Sequence, residues 1–220
     1  MTLKRFFLAA AAIFVFLGLA SSPAPAAVGC DLNDPDRDVP RLFPGATRYE
    51  TLTLEIQKLG GDRLLGRIES RLRDKLRGLY ETIDVPYTLY VIYRGEEKIG
   101  YIHGVTQKGR YGGIQIFLAL DLDESIRTFY IQKISGPHAG RFRKPGFAEG
   151  FVSLSLADFE RYEVATGQAT GRVARIENPA PLAEQDFRFT LRGTKKNLIL
   201  VNEFLKMSAQ LAPKKGNASQ

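Results

Sequence analysis

Cys30 is the only cysteine in this chain of 220 residues. A lone thiol closes no internal disulfide, so the fold is not disulfide-stapled, and no paired-cysteine metal site can form. Histidine is almost as scarce, with only His103 and His138. Two isolated histidines do not make a metal site, and His103, inside a strand-like run, reads as structural. The signatures G-x-S-x-G, H-E-x-x-H, G-x-G-x-x-G and the Walker loop are all missing. A hydrolase or a metalloenzyme is therefore poorly supported, and any redox or group-transfer chemistry would fall to a cofactor. After residue 20 no stretch is apolar enough to span a bilayer.

What is present begins with a leader. Met1 to Arg5 is basic, Phe6 to Ala20 is apolar, and Ser21 to Ala26 is small and Pro-containing. That order is a secretory signal over residues 1–26. The apolar run falls short of the ~20 residues of a membrane helix. Two processing sites compete. Ala24-Pro25-Ala26 suits ordinary signal peptidase, whereas Ala27-Val28-Gly29-Cys30 resembles a lipobox that would lipidate Cys30, with Ala27 where Leu is usual. A periplasmic or cell-envelope location follows, lipid-anchored in the second case. The formal charge is +7; without Lys4 and Arg5 the chain keeps 29 basic residues against 24 acidic, a net +5. This mild excess suits an anionic ligand or lipid surface, and export argues against nucleic acid.

Residues 27–45, rich in Asp, Pro and Gly, read as an extended linker to a domain over 46–212, with a polar tail over 213–220 that reads as disordered. Thr51 to Ile56 alternates as a strand. Leu64, Ile68, Leu72, Leu76 and Leu79 predict an amphipathic helix from Asp62 to Leu79. Its cationic side, including Arg67 and Arg71, is a solvated face or a membrane-facing stripe. Strands are predicted over 85–93, 99–105, 114–120 and 126–134, joined by short turns, hence an antiparallel meander. The third of these has almost no polar face and is expected to be central and covered on both sides. Residues 145–162 predict one or two short helices, with Ser153 or Ser155 as a cap. Residues 163–185 read as irregular. A final helix is predicted over 185–207, weakened at Gly193. The fold class is α+β, an antiparallel sheet packed by the two amphipathic helices.

One ordered set of motifs stands out. Tyr111-Gly112-Gly113 is followed by Leu118-Ala119-Leu120-Asp121, then by Ser135-Gly136-Pro137-His138-Ala139-Gly140, then by Phe147-Ala148-Glu149-Gly150-Phe151. Over about residues 85–160 this resembles the periplasmic FMN-binding domain family, which includes the small flavin-carrying subunits of the sodium-pumping quinone reductase and of the Rnf complex. The resemblance implies an FMN site at Tyr111, Gly112, Gly113 and the 135–140 loop, and electron transfer with membrane or periplasmic redox proteins. The family's glutamate before T-P-G is Ser135 here. Its S-G-A-T-x-[ST] motif, whose threonine carries FMN, has no intact copy; Thr170 and Thr194 are the two candidates.

The residues allow the same reading physically. Gly112 and Gly113 permit positive φ and close backbone approach. The 135–140 loop could turn N–H groups to an anion. Arg141, Arg143 and Lys144 could pair with a phosphate, and Tyr111, Phe142 and Phe147 could pack on a flat ring. The alternative is a non-enzymatic binding or assembly module that has lost the flavin.

Overall fold

The computed structural model describes residues 29–211, with side chains to residue 208. The leader over 1–26 and the tail over 213–220 lie outside the described residues.

Five antiparallel strands pair in sequence order: β1 (Arg48–Leu54), β2 (Tyr87–Arg94), β3 (Glu97–Gly109), β4 (Gly112–Leu120) and β5 (Ile126–Lys133). This is the predicted meander. Period-two alternation divides the sheet into two buried faces. The inner face carries Tyr87, Leu89, Val105, Ile114, Ile116, Leu118, Phe129 and Ile131; the outer face carries Tyr90, Ile92, Ile102, Phe117 and Ala119. β4 is covered on both sides, as its apolar run requires. It lies fourth in the order, however, and the middle strand is β3.

The cover of the outer face corrects the reading of residues 27–45 as an extended linker. Asp34 accepts a hydrogen bond from the Arg37 N–H, Pro35 opens the helix, and α1 runs over Pro35–Leu42. These are helix-start signals. The buried Asp38 carboxylate is bonded by Arg37 and Arg41, each at 3.2 Å. Cys30, Leu32, Val39, Leu42 and Phe43 are buried against the sheet. The Leu32 N–H donates to Tyr90 Oη at 3.1 Å, and Asn33 N–H to Gln132 Oε1 at 3.0 Å. Residues 30–43 are thus a strap, and the smaller of the two core clusters depends on it.

The inner face is packed by α2 (Ile56–Leu59), α3 (Gly61–Leu72) and the long C-terminal helix, α7. Helix α3 buries Leu64, Ile68 and Leu72 at the predicted spacing, but ends seven residues earlier than predicted. Arg73 turns left-handed at φ 56°. The Glu69 carboxylate then takes the Leu76 N–H at 3.1 Å and Lys75 Nζ at 2.6 Å. Leu79, expected on the buried face, is exposed. Arg67 and Arg71 are not a free cationic stripe: both bond Glu203 on α7, at 3.1 and 2.7 Å.

Short helices α4 (Ala139–Phe142), α5 (Pro145–Glu149) and α6 (Leu156–Phe159) follow the sheet. The Asp158 carboxylate closes the start of α6 on Ser155, taking its N–H at 2.9 Å and its hydroxyl at 3.1 Å. Two short 3-10 turns, Val173–Arg175 and Pro181–Ala183, punctuate the stretch expected to be irregular. Helix α7 (Glu184–Leu211) is continuous. Gly193 does not break it. A β-carbon there would sit 2.6 Å from Ile116 Cδ1, so glycine lets the helix press onto β4.

Cys30 is only 3 % exposed. Burial pushes its thiol up to about 12, against smaller lowering influences from Thr106 and Lys196. Thiolate is the reactive form, so the native thiol should resist maleimide at neutral pH and react promptly in denaturant. Equal rates in the two conditions would contradict this placement.

Candidate functional site

Helix α7 carries the residues that organise the interior. Residues 191–201 are all buried, although Arg192, Lys195, Lys196 and Asn197 are polar. Each is satisfied by a partner far away in sequence. Lys196 Nζ donates to Glu81 Oε1 at 2.6 Å and to the Thr106 carbonyl at 2.9 Å. Lys195 Nζ donates to the Tyr162 carbonyl at 2.8 Å. Asn197 Nδ2 donates to the carbonyls of His103 and Ile116, at 3.1 and 3.2 Å. Its Oδ1 therefore accepts from His103 Nδ1, at 2.7 Å. That leaves His103 Nε2 as a buried acceptor without a partner among the described residues. Burial then holds the imidazole neutral, with its pKa lowered to about 4. His103 lies inside β3, as the sequence suggested, fully buried and bonded to Asn197.

Arg192 is the corner of this network. Its Nε bonds Asp74 at 2.6 Å. Its Nη1 bonds Glu81 at 2.7 Å and Gln107 at 2.6 Å. Its Nη2 bonds the Lys75 carbonyl at 3.0 Å and Glu81 at 3.2 Å. Five donors meet five acceptors, which is the whole capacity of a guanidinium. Burial alone would raise the Glu81 carboxyl, but Lys196 and Arg192 outweigh it and hold it at about 2. Complete burial draws the Lys196 ammonium below the ordinary lysine range, against the pull of Glu81.

The outer wall of the same corner is a cleft of about 660 Å³, a size typical of small-molecule sites. Val164, Ala165, Leu182 and Phe189 give it apolar sides, and Leu182 is 82 % exposed at the rim. Arg110, Arg188 and Arg192 give it positive charge, against Asp74 and Glu184. Arg192 has no donor left for a ligand. Arg188 spends Nη2 on the Ala165 carbonyl at 2.8 Å and packs on Gly167, whose φ is +77°. Arg110 is held by its backbone, whose N–H donates to Asp186 Oδ1 at 2.8 Å. Its guanidinium lies 5.4 Å from the Tyr111 ring centre and has no ion pair among the described residues. Among the cations of the cleft, Arg110 therefore keeps the most donors unclaimed by described residues, with Arg188 second.

The residues implied by the flavin resemblance are placed as follows. Gly112 has the expected positive φ, 124°. Gly113 does not; a side chain there would strike Thr106 Cγ2 at 2.8 Å. The Tyr111 turn and the Ser135–Gly140 loop do adjoin, at Gly136, where a β-carbon would lie 2.5 Å from Tyr111 Cδ2. The Tyr111 ring itself thus occupies the space between the loops. Five cavities are described, and none is bordered by Tyr111, Gly112, Gly113, Ser135, Gly136, Pro137, His138 or Gly140. As arranged, these loops do not fit an isoalloxazine ring between them. Phe142 and Phe147 are buried in an aromatic cluster with Phe129 and Phe151 rather than facing a ligand. Arg143 bonds the Ile134 carbonyl at 2.9 Å, while Arg141 and Lys144 border a separate notch. Thr194 is fully buried and donates to the Thr190 carbonyl at 2.9 Å, so its oxygen is not presented for a phosphoester. Thr170 is exposed and borders none of the five cavities.

Arg110, Arg188, Arg192, Glu81 and Lys196 were not singled out by the sequence. One signal was legible: Lys195-Lys196 interrupts the buried stripe of the last helix, where an unpaired charge is untenable. No family model matches the chain, and no curated protein matches it at a significant level.

Proposed function

We propose that this chain is an exported, cofactor-free binding module of the cell envelope. Its ligand is an amphipathic anion of small-molecule size, held in the Arg110–Arg188–Leu182–Phe189 cleft. The observation that carries this reading is a cleft with apolar walls and one guanidinium, Arg110, that no described residue has claimed. The leader at residues 1–26 supports export, and the buried Cys30 thiol favours simple secretion over lipidation. An acyl chain on that sulfur would have to displace the strap from the sheet.

The probe is anilinonaphthalene sulfonate, which joins an aromatic body to a fixed negative charge. Saturable fluorescence enhancement by the native protein is expected. R110E and L182E should each weaken it by about tenfold or more while leaving the melting temperature unchanged. Unchanged affinity in both variants would end this reading.

A second reading, an FMN-carrying electron-transfer domain serving membrane or periplasmic redox proteins, rests on the ordered motifs of the sequence. Arg110 on the cleft border directly precedes Tyr111, but neither Tyr111 nor the 135–140 loop borders the cleft. Gel filtration after incubation with FMN separates the two. We expect the flavin absorbance to leave the protein; a retained stoichiometric flavin would replace the first reading by the second.

A further inference from the structure

A second basic site lies away from the cleft. Arg141, Lys144 and Arg175 surround a notch of about 400 Å³, with Phe147 at its base and Glu177 as the one carboxylate on its border. None of the three cations has an ion pair among the described residues, whereas two arginines from the neighbouring segments are engaged. Arg172 bonds Asp158 and the Ser153 carbonyl, and Arg143 bonds the Ile134 carbonyl.

The three come from different segments, yet each stands next to a buried anchor or one short turn from it. Arg141 precedes Phe142, Lys144 lies three residues before Phe147, and Arg175 precedes Ile176; all three anchors are buried. Phe142 and Phe147 belong to a tight aromatic group in which Phe129 and Phe151 stack at 3.9 Å and Phe147 meets Phe142 at 5.5 Å, and Ile176 is buried in the same hydrophobic cluster. The backbone positions of the cations are therefore fixed before any ligand arrives, which lowers the ordering entropy of binding.

Gly146 on the same border has no structural reason to be glycine. Its φ is not in the left-handed region, and a β-carbon there would meet nothing within 4 Å. It lies within α5, where glycine is unfavourable relative to alanine by roughly 1 kcal/mol. A larger side chain at this position would project from the border of the notch.

We infer that this notch binds a phosphoryl group. Three cations with one carboxylate beside them leave the notch net positive, and the oxygens of a phosphate monoester or diester can accept from two guanidinium forks and an ammonium together. The group could come from a soluble phosphorylated molecule or from the headgroup of an anionic phospholipid. The inference does not depend on the cleft, which shares no residue with the notch.

The test uses the purified protein with two probes: inorganic phosphate, followed by amide shifts of Gly146 and Gly150, and sedimentation with phosphatidylcholine vesicles with and without phosphatidylglycerol. The variants are R175E, G146L and, as a control of equal charge change far from the notch, R94E. Saturable phosphate shifts that R175E and G146L weaken by about tenfold, and R94E does not, support a soluble phosphoryl ligand. Phosphatidylglycerol-dependent sedimentation with the same ranking of variants supports a headgroup. G146L should not lower the melting temperature, so loss of binding in it is not loss of fold. Binding to neither probe, or equal weakening by R94E, overturns the site.

Discussion

A chain cut to begin at Ala46 should lose its cooperative thermal transition and associate. The residues removed include Leu32, Val39, Leu42 and Phe43, all buried on the outer face of the sheet. At about 1.5–3 kcal/mol for each large apolar side chain, the loss is roughly 6–12 kcal/mol. That is comparable with the whole stability of an ordinary domain, about 5–15 kcal/mol. The cut also bares Tyr90, Ile92, Ile102, Phe117 and Ala119 as one apolar surface, which favours association. The single variant F43A should lower stability by about 3–5 kcal/mol while keeping the transition cooperative. Calorimetry and light scattering read both effects. A monomeric cut chain that melts at the intact protein's temperature would show that residues 29–45 are a linker after all.

Replacing Glu81 should be nearly as damaging, and in a pH-dependent way. E81Q keeps the shape but leaves Lys196 and Arg192 buried without their shared carboxylate, at a cost of about 3–5 kcal/mol. The acid behaviour of the native protein has two sources of the same sign. Glu81 falls from 4.5 when unfolded to about 2 when folded. Its contribution is complete above pH 4.5 and is lost as pH drops toward 2. His103 falls from 6.5 to about 4. Between those values the unfolded chain binds a proton that the folded one refuses, so stability again declines on acidification. Each contribution is roughly 3 kcal/mol. Urea midpoints should therefore fall in two steps from pH 6.5 downward, and E81Q should flatten only the lower one. An E81Q protein as stable as the native one, with its acid profile unaltered, would show that Lys196 and Arg192 do not depend on this carboxylate.

The sheet was readable because β-strand alternation and short turns are local signals, and the continuous apolar run of β4 correctly demanded cover on both faces. What supplied the cover was hidden by composition. Asp31, Asp34, Pro35, Asp36, Asp38 and Pro40 look like solvent-loving chain. In the structure Asp34 and Pro35 start a helix, and Asp38 is neutralised by Arg37 and Arg41. Helix α3 was over-extended because Leu76 and Leu79 keep the period, whereas the stop is made by the Glu69 side chain reaching forward to Leu76. The cleft was harder still. Arg192 is one of 31 basic residues until Asp74 and Glu81 are seen beside it, 118 and 111 positions away. The flavin-like loops adjoin at Gly136, and that Tyr111 lies across it depends on a side-chain direction that no spacing encodes.

The pairing of Glu81 with Lys196, 115 residues further on, also sets a timetable. A chain that emerges N-terminus first presents the strap, the sheet and Glu81 well before helix α7 exists to cover them. Until residues 184–211 arrive, the carboxylate lacks Arg192 and Lys196 and the inner sheet lacks its long helix, so closure waits for that segment. On the proposed export route such a polypeptide would remain threadable throughout its passage and commit to its shape only on the far side.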